Sequence, residues 1–389
     1  MRGKIHCLVA VVLAALAGLS SADAQAAGGR EARVAALQEA ATRIEAQDIT
    51  GAEGILQGLL GHSPDDALAL NLLGLVRMNQ RNPAEAEQLF RHAIESEPRL
   101  VGPHLNLARL YGKERATAAI DELRAALKLA PENEPAQALL RNIAGAAAAE
   151  AARSGNPEQA LALLQRAREA LPHDPEILVD TALAAVEGGF YRDAEQYLLE
   201  ALVVRPGLAR AIYALARAYL ADSKAQLAEE QMRLYLAAKP DDATARYGLG
   251  YILMAEQKTA DARAAFEKSL ALQPEQTESR FQLGEIDLQE EKREQAKERY
   301  NEVLARDPRH AGALTGIGVL AYRAGNYSQA ESDLHRAVSI APSYQKAHYY
   351  YALTLRKLGR QPEAEREFRA SNDLQKHDAP YTRLMPNRQ

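Results

Sequence analysis

The sequence predicts an all-α chain, a solenoid of about ten stacked helical hairpins. Three observations predict it. Pro64, Pro98, Pro131, Pro172, Pro206, Pro240, Pro274, Pro308 and Pro342 recur at spacings of 34, 33, 41 and then 34 throughout. An alanine stands twelve residues before each, at Ala52, Ala86, Ala119, Ala160, Ala194, Ala228, Ala262, Ala296 and Ala330, and Ala364 continues the series. Helix formers dominate the composition and aromatics make up 5% of the 389 residues; this is the profile of helix rather than sheet.

Each element follows from that phase. Four residues after the alanine comes a large apolar side chain: Leu56, Phe90, Leu123, Leu164, Leu198, Met232, Phe266, Tyr300, Leu334 and Phe368. Earlier in each unit stands a small one: Ala40, Gly74, Ala108, Ala148, Ala182, Ala216, Gly250, Gly284, Gly318 and Ala352. Small residues let two helices of a hairpin approach closely. The large residue, one turn from the alanine, lies on the same face and fills the interface. Turn signals separate the helices, among them Arg81-Asn82-Pro83, Gly155-Asn156-Pro157 and Gly325-Asn326-Tyr327. Glycine or asparagine ends a helix in the left-handed conformation, and proline opens the next.

These residues resemble the tetratricopeptide repeat, whose pattern is W-x2-L-G-x2-Y, then A-x3-F, then P. Leu249-Gly250, Ala262, Phe266 and Pro274 match it best. Tryptophan is absent, and Ile212, Arg246, Arg280, Leu314 and His348 stand at its position. The resemblance implies a right-handed superhelical solenoid. It spans ten units: 33–66, 67–100, 101–133, 134–174, 175–208, 209–242, 243–276, 277–310, 311–344 and 345–378. Two are irregular. The first carries Gly51, Gly54, Gly58 and Gly61 in its second helix and is expected to fray, since interior glycine costs about 1 kcal/mol relative to alanine. The fourth has seven extra residues, nearly two helical turns, read as a lengthened first helix rather than a linker.

The N-terminus has the order of a secretory signal peptide: basic Arg2 and Lys4, an apolar run from Ile5 to Leu19, then small residues around Ala24 and Ala26. Residues 1–26 are therefore expected to be removed, taking Cys7, the sole cysteine, with them. The solenoid is then assigned to 27–378 and a tail to 379–389. The expected location is periplasmic or secreted, with no integral membrane segment after cleavage.

Catalytic and cofactor signals are missing. The histidines show no metal-binding spacing, and neither a phosphate loop nor a Gly-x-Ser-x-Gly motif occurs. Pairs such as Glu290-Glu291 and Asp65-Asp66 read as solvated helix surface, and Asn326-Tyr327-Ser328 reads as turn chemistry. The net charge of −5, with both signs interspersed, lacks the basic stripe of a nucleic-acid protein. The expectation is a non-enzymatic chain without cofactor, metal or nucleic acid.

The resemblance implies that the first helix of each unit lines a concave groove. Its fifth position holds Tyr213, Tyr247, Phe281, Thr315 and Tyr349, each 34 residues apart; Tyr251, Tyr322, Arg217, Arg323, Arg356 and Lys357 fall on the same face. The rings either grip an extended peptide or sugar chain, or pack between neighbouring first helices. The candidate partner set is Tyr213, Arg217, Tyr247, Tyr251, Phe281, Tyr322, Arg323, Tyr349 and Arg356. The expected role is an envelope scaffold holding a protein or peptide segment; the alternative is a glycan-guiding protein. The lysine–asparagine set with which some relatives hold a chaperone's C-terminal carboxylate is represented by Asn106 alone, so a cytosolic co-chaperone is not expected.

Overall fold

The computed structural model describes residues 24–377, and within them every regular element is an α-helix. The segment read as a signal peptide, with Cys7, and the tail around Tyr381 and Met385 lie outside the described residues. The chain divides into two compact units, residues 1–188 and 189–389.

The first unit holds α1 (Ala24–Glu45), α2 (Ile49–His62), α3 (Ala67–Asn79), α4 (Pro83–Ser96), α5 (Val101–Tyr111), α6 (Ala116–Leu129), α7 (Glu134–Arg153), α8 (Pro157–Arg168) and α9 (Pro175–Glu187). The second holds α10 (Tyr191–Val204), α11 (Ala209–Ala221), α12 (Ala225–Ala238), α13 (Ala243–Ala255), α14 (Thr259–Leu272), α15 (Thr277–Gln289), α16 (Arg293–Arg306), α17 (Ala311–Arg323), α18 (Tyr327–Ile340), α19 (Gln345–Lys357) and α20 (Gln361–His377). Within each unit consecutive helices pack as antiparallel hairpins, stacked side by side.

Side chains close the helix starts. Asp66, Asn82, Asn156, Asp174 and Asp242 each accept a backbone N–H of the first turn, which satisfies one of the otherwise unpaired donors. Helix reversal uses one left-handed residue at the same place in nine of the ten units. It is glycine at 155, 189, 325 and 359, but Gln47, Arg81, Ser223, Gln257 and Glu291 in the others. In Arg81-Asn82-Pro83 the left-handed residue is thus Arg81, because Asn82 is taken up as the cap, accepting from the Glu85 N–H.

The core is the repeat itself. All ten alanines of the series are completely buried. The small residue of the first helix marks where the large one of the second enters: a methyl group on Gly250 would lie 2.6 Å from the Phe266 ring, and Gly284 stands likewise against Tyr300 and Gly318 against Leu334. The two irregular units keep this plan. Helix α2 runs unbroken across its glycines, capped by Asp48 and anchored by buried Ala52 and Leu56; Gly54, Gly58 and Gly61 lie on its open side. The seven extra residues of the fourth unit lengthen α7 to 20 residues with both hairpin ends in place.

Candidate functional site

The 34-residue recurrence places the candidate rings on α11, α13, α15 and α19, but in graded surroundings. Tyr213 is 5% exposed, its ring 5.2 Å from that of Tyr235 on α12. Arg217, one turn on, is also buried. Tyr247 is 5% exposed, between Phe266 at 5.8 Å and Tyr251 at 6.4 Å. Burial, reinforced by the Glu278 carboxylate, pushes the Tyr247 hydroxyl above its ordinary range, while a hydrogen bond with Gln282 of α15 opposes the shift. Phe281 is half-buried, laid over Gly312 of α17 and 4.9 Å from the His310 ring. Thr315 is buried, with its hydroxyl donated to the Ala311 carbonyl. Tyr349 is 42% exposed. Tyr247 and Phe281 each reach the first helix of the next repeat, at Gln282 and Gly312. Tyr213, Tyr247 and Arg217 are buried, so a partner would meet them only at their edges.

The other candidates lie nearer solvent. Tyr251 is half-buried. Tyr322 is half-buried too, 5.7 Å from Tyr327 and 6.2 Å from Tyr350. Arg323 donates to Glu291 at 3.0 Å. Arg356 and Lys357 are exposed, and the Arg356 guanidinium lies 5.5 Å over the Phe368 ring.

The structure adds a cluster that the sequence reading passed over. Tyr300 projects from α16 between Gly284 of α15 and Gly316 of α17, where a methyl on either glycine would collide with its ring. The side chain is fully buried, and its hydroxyl donates to Glu285 at 2.7 Å. Lys346 of α19 donates to the other oxygen of the same carboxylate. Helices α15 and α19 belong to repeats with α17 between them. Side chains 61 positions apart meet across a whole repeat only where the stack curves inward, so this pair marks the inner face of the second unit. Tyr344 joins them: burial, then the nearby Glu285 and Tyr251, raises its hydroxyl above the ordinary range. The signal available in the sequence was position. Glu285 lies 34 residues after Tyr251, and Lys346 three before Tyr349; their pairing is not legible in the sequence because the two are remote in the chain.

The first unit offers polar pairs of other kinds. Asn106 donates to Asn71 at 2.8 Å in a buried pair. A cleft of about 590 Å3 opens beside the α5–α6 turn and α7, its rim bridged by Lys113 and Glu150 at 2.9 Å. Among the described residues no group of three His, Cys, Asp or Glu side chains is arranged to hold a metal ion.

Stacked hairpins exposing long side-chain-lined surfaces define a class, the repeat-built protein-interaction scaffold. The chain belongs to the tetratricopeptide-repeat family: a tetratricopeptide-repeat model matches residues 37–99, 146–209 and 179–243, and the model of the cytochrome c-type biogenesis protein H TPR domain matches 225–348. Proteins of this family are generally non-enzymatic. Among solved structures, the APC/C hetero-tetramer Cut9–Hcn1 is 13% identical, with 88% of this chain and 81% of that one covered and a TM-score of 0.51. A tetratricopeptide repeat protein from Parabacteroides merdae is 18% identical over 66% of this chain and 98% of its own, at 0.50. MamA from Desulfovibrio magneticus is 26% identical over 45% of this chain and 96% of its own, at 0.40. No curated protein sequence matches the chain.

Proposed function

We propose that this chain is an exported scaffold that holds an extended segment of a partner protein against the inner face of α11 to α19, in the service of an envelope assembly. The observation that carries the reading is the Glu285–Lys346 bridge with Tyr300 and Tyr344 beside it. It sets hydrogen-bonding and charged groups on the inner face, flanked by the half-buried rings of Tyr251 and Tyr322. An extended peptide presents backbone amides and carbonyls at regular intervals and suits such a row. The alternative is a glycan-guiding protein: charged groups on this face would suit an acidic peptide or a uronate-type glycan, whereas a neutral glycan would rely on ring stacking. The match of residues 225–348 to the repeat domain of a biogenesis protein supports an assembly role. Export rests on the basic, apolar and small-residue order of residues 1–26.

The test is site-specific photo-crosslinking in the exported protein. A crosslinker at Tyr251 or Tyr322 is expected to yield a discrete protein adduct, and one at Lys268 on α14 none. Glu285→Ala with Lys346→Ala is expected to weaken capture by more than about tenfold, the loss typical of an interface hot spot. Intact mass of the same material is expected to show a chain starting after Ala24 or Ala26. Adducts from Lys268 alone would overturn the inner-face reading; a mature chain retaining Cys7 would overturn the proposed processing.

A further inference from the structure

In most joints between repeats, a charge on the second helix of one repeat is tied to the repeat that follows. The residue after the buried alanine is Glu53, Glu87, Glu195, Glu229 or Glu331, and its partner is Arg77, Arg115, Lys224, Lys258 or Arg360. At Arg263 the signs are reversed, with Asp287 and Glu290 as partners. The joint between repeats 277–310 and 311–344 breaks the pattern. Its residue is Lys297, which is exposed and, among the described residues, paired with no carboxylate. The places 24, 27 and 29 residues on, which hold the partners in the other 34-residue repeats, hold Ala321, Ala324 and Asn326. The charged contacts this joint does have, Arg323 with Glu291 and His310 with Glu278, each end on an exposed carboxylate.

We infer that the Glu285–Lys346 bridge is a clasp that sets the angle of this joint from the inner side, and that its release opens the second unit there. The bridge reaches from α15 to α19 and so spans two joints. One of them, between α18 and the last repeat, is already held by Glu331 and Arg360. The freedom the bridge removes is therefore the angle between repeats 277–310 and 311–344. Helix α17 puts no long side chain between the two ends: Gly312 and Gly316 lie under Phe281 and Tyr300, and the Thr315 hydroxyl is turned back to the Ala311 carbonyl. Tyr300 holds the Glu285 end by donating to its carboxylate. Lys346 stands in the first turn of α19, where the helix dipole disfavours a cation, so the bridge rather than its own helix holds it in place. The two side chains are 23% and 30% exposed; ions and competing charges reach the clasp and can open it. Only the consequence for a partner rests on the inner-face reading: a partner carboxylate that takes Lys346 from Glu285 opens the joint as it binds.

The experiment places spin labels at Gln289→Cys and Lys357→Cys, exposed positions at the far ends of the two clasped helices, in the full chain carrying Cys7→Ser. Pulsed electron double resonance then reads the α15–α19 distance without any partner. Lys346→Met is expected to lengthen and broaden that distance by several ångströms with the helical circular dichroism unchanged, and Lys346→Arg to keep it. Glu298→Gln, at an exposed carboxylate of α16, is expected to leave it as it is. Salt at about 1 M, which screens charges beyond ~3 Å, is expected to lengthen the distance in the parent and to add nothing in Lys346→Met. A distance unchanged both in Lys346→Met and in salt overturns the inference. So does an equal lengthening in Glu298→Gln, which marks general loosening rather than release of a clasp. The labels are read in the free chain, so the clasp stands or falls whether or not Tyr251 yields a crosslinked partner.

Discussion

At the scale of single residues, charge placement decides more than charge count. Glu87 on α4 accepts hydrogen bonds from Arg115 at 2.7 Å, Arg91 at 3.0 Å and the Tyr111 hydroxyl at 3.0 Å. The Arg115 guanidinium above all, with Arg91 and Tyr111, overcomes the opposing burial and holds the carboxyl down to about 2, from an ordinary 4.5. A carboxylate depressed on folding contributes stability that is fully present above its unfolded value and is lost as pH falls through the folded one. The contribution of Glu87 is therefore expected to disappear between about pH 4.5 and 2. Urea unfolding across that range should show a shallower acid decline in Glu87→Gln than in the parent. Equal declines would show that the three donors add nothing to folding. The sequence shows Glu87 and Arg91 as an ordinary pair four apart on a helix; the role of Arg115, 28 positions away, requires the fold.

At the scale of elements, the second helix of the first repeat is the clearest departure from helix propensity. Gly54, Gly58 and Gly61 lie where an added methyl would touch nothing within 4 Å. Alanine at each should reduce the entropy of the unfolded chain without strain, stabilising by about 0.5–1 kcal/mol. Gly51→Ala should bring no such gain, because its methyl would meet the capping Asp48 and its partner Arg43. Denaturant midpoints of the four variants separate the two cases, and a uniform gain at all four positions would contradict the packing described. The cost of the glycines was legible from sequence. That the helix persists was not, because its support is Ala52 and Leu56 buried against neighbouring helices.

At the scale of the molecule, a stack of repeats has near-neighbour energetics, so damage should remain local. Ala262 is completely buried, and Ala262→Leu is expected to overfill the α13–α14 hairpin by about 1–3 kcal/mol. Hydrogen exchange should then accelerate in α13, α14 and their flanking helices while α1 to α9 keep their protection. Uniform acceleration over the chain would show one cooperative unit instead. The number of repeats, their phase and their hairpin boundaries are determined by the sequence alone, because each rests on contacts made inside one 34-residue unit and so appears as a one-dimensional period. Which rings are reachable is decided only in three dimensions. Tyr213, Tyr247 and Tyr349 are equivalent by period, yet the first two are buried and the third is 42% exposed, because the period records a position on a helix and not what is packed against it. The Glu285–Lys346 bridge is of the same kind: it joins two repeats that are not adjacent, and no period in the chain records how far a stack of hairpins bends.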